Sequence, residues 1–154
     1  METKNDLNAS TELTSKVQVF RDAARNCAMC MLENASYIQK ELVNVRMTDE
    51  MRTKVSEVCD SMIGTKHDVI HELFELDDLL AEGATTSRIL QKINMTMRCI
   101  FDDIRVLRPT ALALEEESEQ DNTYDPANLL VGESTNNILN AFLDAHNTAQ
   151  ACSE

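Results

Sequence analysis

Between Ser10 and Arg108 the chain carries no proline and only two glycines, Gly64 and Gly83, while apolar residues return at every third or fourth position. Proline removes a helical hydrogen bond and glycine adds backbone freedom, so a long stretch nearly free of both is permissive for helix throughout. The spacing gathers the apolar residues on one face of each helix, and that face has to be buried against another helix. The expectation is an all-α antiparallel helical bundle. It is built on a long, coiled-coil-like helical hairpin, with a third and a fourth shorter helix.

Punctuation divides the run. Ser10 and Thr11 ahead of Glu12 form a helix start, with an acid at the positive end of the dipole. Leu13, Val17, Phe20, Ala24, Cys27, Met31, Asn34, Ile38, Leu42 and Val45 then follow as a seam to about Arg46. Thr48 before Asp49 and Glu50 starts a second helix, whose seam is Met51, Val55, Cys59, Met62, Lys66, Val69, Leu73, Leu76 and Leu80, with Gly83 as its stop. Gly64 either splits this helix or weakens it, and the unbroken register favours one continuous element. The third helix opens at Ala84-Thr85-Thr86-Ser87 and buries Ile89, Ile93, Met97, Ile100, Ile104 and Leu107. Leu90, Cys99, Phe101 and Val106 widen its stripe beyond a two-stranded seam. Pro109 is expected to end it, because the residue before a proline is pushed out of helical geometry.

The organisation predicted is therefore a loose tail over 1–9, a three-helix antiparallel bundle over 10–108, an acidic loop over 109–132 and a C-terminal amphipathic helix and tail over 133–154. That last helix carries Ile138, Leu139, Phe142, Leu143 and Ala145 on one face. Only 4% of residues are aromatic and there is no tryptophan, so the core must be aliphatic, with eight methionines as adaptable filler. No segment alternates as a strand does.

Charge excludes some partners. The net charge of −13 opposes binding to nucleic-acid phosphates and to anionic membrane surfaces. It is also segregated, since 18 acidic and 14 basic residues precede Pro109 whereas nine acidic and no basic residues follow it. If this acidic C-terminal region works as a switch, it is expected to lie against basic residues of the first 108, with a strength that falls with salt. No run approaches the roughly 20 apolar residues of a membrane span, so no membrane insertion is expected. The polar N-terminus lacks the apolar core of a secretory leader, and five cysteines is an odd number. Together these suggest free thiols in a reducing intracellular setting, cytoplasmic or nuclear, in which the three Asn-x-Ser/Thr triplets are chance.

Short motifs fall inside the helical pattern. Cys27-Ala-Met-Cys30 has the spacing of a thiol redox pair but sits mid-helix, where two small side chains pack well. His67 and His71 lie one turn apart with Glu75 beyond, a weak echo of a zinc-binding pair without strands to build a substrate cleft. Leu76-Asp-Asp-Leu79-Leu80 matches a groove-docking helix motif, and 75–80 and 125–130 match acidic dileucine signals. The leucines of 76–80 coincide with the core stripe. Ser118-Glu-Gln-Asp121 has the form of an acid-directed phosphorylation site, where phosphate would extend an acidic segment rather than dock it.

No cofactor cradle and no catalytic set emerges, so no enzyme activity, cofactor or metal is expected. The function expected is a non-catalytic α-helical protein–protein interaction subunit or adaptor of a larger intracellular assembly. Its partners would be other α-helical proteins or a second copy, met through Leu13, Val17, Phe20, Met31, Ile38, Val55, Met62, Val69, Leu73, Leu76, Leu80, Ile93, Ile100 and Ile104. The alternative is a self-contained helical-bundle regulator that binds an amphipathic peptide in a groove. A third reading is a metal- or thiol-dependent helical protein using His67 and His71 or Cys27 and Cys30.

Overall fold

The structure is a computed structural model that describes residues 10–121 and 124–154; the tail expected over 1–9 lies outside them. Four helices follow one another: α1 (Thr11–Glu41), α2 (Asp49–Ala81), α3 (Thr86–Gln120) and α4 (Asp125–Cys152), with a short 3-10 turn, Leu42–Asn44, after α1. Each helix packs against its neighbour in the chain, α4 closes back onto α1, and α1 and α3 barely touch across the diagonal. Cross-helix pairs show the directions. Arg21 meets Asp77 while Gln39 meets Asp60, and Lys92 meets Glu72 while Asp103 meets Ser61, so residue numbers rise on one helix as they fall on the next. This is an up-down-up-down four-helix bundle, the arrangement that short connections enforce.

The helix starts are those the hydroxyl residues announce. Ser10 Oγ accepts the backbone N–H of Leu13 at 3.0 Å, Thr48 Oγ1 that of Met51 at 3.2 Å and Thr85 Oγ1 that of Arg88 at 3.3 Å. At the end of α2, Gly83 takes φ +71°; its N–H bonds to the Leu80 carbonyl and that of Ala84 to Leu79, the paired closure that a left-handed glycine permits. Gly64 does not interrupt α2. Arg52 donates to the carbonyls of Leu42 and Val45, placing a cation over the unsatisfied carbonyls at the end of α1. At the same end of the bundle, the Thr48 backbone N–H donates to Tyr124 Oη at 3.0 Å, tying the α1–α2 connection to the start of α4.

Two expected boundaries are corrected. α3 runs through Pro109 and at 35 residues is the longest helix, not a shorter one. Pro109 sits on the exposed side, so the carbonyl it deprives of a donor can bond to water, while Leu114 and Ser118 beyond it are buried and hold the continuation to the core. Ser118 Oγ also donates to Asp125 Oδ1 at 2.9 Å, across the α3–α4 turn. In place of the acidic loop expected over 109–132, α3 continues to Gln120 and the last helix starts at Asp125, not near 133. Pro126 is in its first turn, the one place in a helix where proline costs no hydrogen bond.

Candidate functional site

The residues expected to form a partner seam are inside this chain. Leu13, Val17, Phe20, Met31, Ile38, Val55, Met62, Val69, Leu73, Leu76, Ile93, Ile100 and Ile104 are buried in one continuous core, with Leu80 partly buried against it. Two polar seam positions are shifted by one residue. Ala35 and Thr65 occupy the core, and Asn34 and Lys66 lie beside it, half-buried. Asn34 nonetheless links two helices: its Nδ2 donates to the Cys30 carbonyl at 2.8 Å and its Oδ1 accepts from Asn137 Nδ2 at 3.4 Å, across α1–α4. A polar pair at a helix boundary helps to fix register.

The thiol pair has the wrong environment for a nucleophile. Burial pushes the Cys27 thiol up to about 12, with Cys30 adding to the effect, and burial likewise raises Cys30. Cys59 is also pushed up to about 12 by burial, and all five cysteines are free thiols. A reactive cysteine needs the opposite shift, towards thiolate at neutral pH. His67 and His71 are exposed on α2, and His71 Nε2 lies 3.0 Å from Glu75 Oε1. Lys92, donating to both Glu72 and Glu75, holds the Glu75 carboxyl below its usual range. Among the described residues no group of three or more His, Cys, Asp or Glu side chains is arranged to hold a metal ion. Of the leucine motifs, Leu76 is buried and Leu79 and Leu80 are half-buried, whereas Leu129 in the first turns of α4 is 68% exposed.

Large apolar side chains stay exposed at several places, Phe74 and Met95 among them, and one such surface is the outer groove between α3 and α4. On α3, Phe101, Arg105, Arg108, Leu112 and Glu115 recur at spacings of four and three, so they share one face. Phe101 and Leu112 are both about half exposed despite their size. On α4, Leu139 lines the same groove, and Phe142, Leu143 and His146 share its face by helical spacing. The Phe101 and Phe142 rings lie 6.3 Å apart, and His146 stacks on Phe142 at 6.0 Å. Further along the groove an open cavity of about 420 Å³ is lined by Arg108, Leu112, Glu115, Asn128, Gly132 and Leu139. Gly132 has open space where a side chain would project, so its missing side chain deepens the cavity.

Arginines mark this groove electrostatically. Arg105 reaches only Asp102 on its own helix, at 3.8 Å, and Arg108 makes no ion pair among the described residues. Of the acids of α4, Glu133 and Asp144 lie by helical spacing on its other side, while Asp125 at its start accepts from Ser118 of α3. The groove thus has apolar residues along it and carries Arg105, paired with Asp102, and Arg108 together with Glu115 at its rim. Glu115, Glu133 and Asp144 make no ion pair among the described residues. Sequence reasoning named Phe101, Leu139, Phe142 and Leu143 but missed Arg108, Leu112 and Gly132. The signal was the α3 stripe continuing in register beyond Pro109.

No helix among the described residues is long and apolar enough to cross a membrane. No protein-family model matches the chain, and comparison with curated proteins and with solved structures likewise finds no match.

Proposed function

We propose that this protein is a non-catalytic interaction module, a self-contained four-helix bundle that docks one amphipathic helix in the outer α3–α4 groove. The observation that carries the reading is the contrast between a core that consumes its own seam residues and a groove that leaves Phe101, Leu112 and Leu143 half exposed. Large apolar side chains clustered on a surface mark interaction sites more often than isolated ones do. A helix laid into the groove would bury an i, i+3/i+4, i+7 stripe on these residues. Acidic residues beside that stripe would meet Arg105 and Arg108, which favours an acidic partner helix over a basic one. The raised cysteine thiols support the non-catalytic part of the reading.

The test is selection from a displayed library of helical peptides against the full chain. The reading expects enriched peptides with an apolar stripe flanked by Asp and Glu, whose binding is lost when Phe101 and Leu112 are both changed to Glu. Enrichment of peptides indifferent to that double variant would reject the groove.

A further inference from the structure

Several features weaken the end of α3. Beyond Pro109 its buried side chains are Leu114 and Ser118, and Leu114 is the one large apolar side chain of the two. Pro109 leaves the Arg105 carbonyl without its helical donor, so the turns beyond it lack a bond to the rest of the helix. Glu115, Glu116, Glu117 and Glu119 load those turns with negative charge, and no basic residue stands in the last one. Acids at the negative end of a helix dipole are repelled by it. Few buried contacts and unfavourable charge mark a segment that opens while the rest of the molecule stays folded.

A hydrogen bond ties this end to α4. Ser118 is 3% exposed, and its hydroxyl donates to Asp125 Oδ1 at 2.9 Å. Glu119 follows Ser118 directly and Asp121 stands three residues on, the acid pattern of a phosphoacceptor serine. In the closed helix a kinase cannot reach the hydroxyl, so the acceptor is presented by the opened end, and modification captures that form. A phosphate on Ser118 carries close to two negative charges. Reclosing would set it against the Asp125 carboxylate, one turn from Glu115 and at the negative end of α3. The modified end therefore stays open.

We propose that Ser118 is a phosphorylation site whose modification holds 110–121 away from α4. An acid-directed protein kinase with ATP supplies the group. The bond between Ser118 Oγ and the γ-phosphorus forms, and the bond from that phosphorus to the β–γ bridging oxygen breaks. ADP leaves with the electron pair, and the hydroxyl proton passes to the base of the kinase. The opened segment takes Leu112 and Glu115 out of the α3–α4 groove, so modification releases a helix docked there. The opening stands apart from the groove reading, and only the loss of docking rests on it.

The experiment treats the full chain with ATP and an acid-directed serine kinase that is active on a free 110–121 peptide. Mass spectrometry locates the phosphate, and amide hydrogen exchange is compared before and after modification. Two variants accompany it: Ser118→Ala removes the acceptor, and Asp125→Ala removes the partner of its hydroxyl.

The proposal expects phosphate on Ser118, none at that position in Ser118→Ala, and faster incorporation in Asp125→Ala than in the parent. After modification the amides of 111–121 should exchange about tenfold faster or more, the combined worth of a lost hydrogen bond and repulsion at the helix end. Amides around Phe20 and Met62 should keep their protection. Peptides captured by the unmodified chain should bind about tenfold more weakly or worse, as the same opening removes Leu112. Absence of phosphate on Ser118 of the full chain, incorporation no faster in Asp125→Ala, exchange unchanged or slowed, or capture undiminished overturns the proposal. An unmodified chain that captures no peptide rejects the groove alone, and the exchange measurement then decides the phosphorylation site by itself.

Discussion

The α1–α2 and α3–α4 pairs are both antiparallel helix pairs of similar length, yet they are joined differently. α1 and α2 are stitched on their outer side by Arg21 on Asp77 at 2.8 and 3.0 Å, by Gln39 on Asp60 at 2.6 Å and by Arg52 over the end of α1. α3 and α4 share the Ser118–Asp125 bond at their turn, and along their length they meet through aromatic contact and an open cavity. A polar outer seam completes a pair in water. An apolar one leaves surface to be covered. Long, well-patterned seams fold the chain, and the proposed partner surface lies where pairing is incomplete.

The largest effect should come from the closed side. Phe20→Ala, at a position with no solvent exposure, should cost about 3–5 kcal/mol and lower the denaturant midpoint sharply. If α1 instead met a partner through this residue, the variant would change assembly and leave the stability of the lone chain nearly intact. On the open side, Phe101→Glu with Leu112→Glu should stay within about 1 kcal/mol of the parent in urea unfolding, as surface changes do, while abolishing peptide capture. A large loss of stability there would make the groove part of the core.

Removing the proline that α3 carries in its interior should stabilise the protein. Pro109→Ala is expected to gain about 1–3 kcal/mol, because it restores a helical donor and relieves a clash. No gain would argue that α3 does not continue as one helix. Next in size is the polar stitch itself: Asp77→Ala should cost up to about 1 kcal/mol, since Arg21 and Asp77 are both partly exposed to solvent. The thiols offer a check in alkali. Folded-state burial favours neutral Cys27 and Cys59, so their contribution is complete below the ordinary thiol value near 9 and is lost as pH rises towards about 12. Stability should fall over that window, and replacing both cysteines with alanine should flatten the fall. The smallest effect is expected from Gly64→Ala and Gly132→Ala, each with open space for the new methyl group, at about 0.5–1 kcal/mol of gain. Gly132→Leu should in addition fill the α3–α4 cavity and weaken capture.

Much of the fold was legible because it rests on local chemistry. Ser10, Thr48 and Thr85 cap the helices that their hydroxyls announce, and Gly83 closes α2 through a left-handed turn that glycine favours. Most of the periodic residues of α1 and α2 are core residues, as period implies, whereas Phe101 and Leu143 of the later stripes are half exposed. Pro109 misled because the local rule was outweighed by Leu114 and Ser118 packing beyond it, a tertiary effect no window of sequence contains. The same error hid the groove, since Leu112 and Arg108 belong to a face only once α3 is known to continue. Nor could the sequence say whether the seams close on one another or on a partner, because an apolar stripe looks the same in either case. The burial of Ser118 was equally invisible, its hydroxyl resting on Asp125 of another helix.

The central claim is that one chain closes its own seams. Light scattering of the full chain over a wide dilution range, with helicity followed by circular dichroism, tests it most directly. The account predicts that the mass of one chain is reached on dilution with helicity fully retained, even if the α3–α4 groove lets copies associate at high concentration. A mass of two or more chains that falls only as helicity is lost would contradict it.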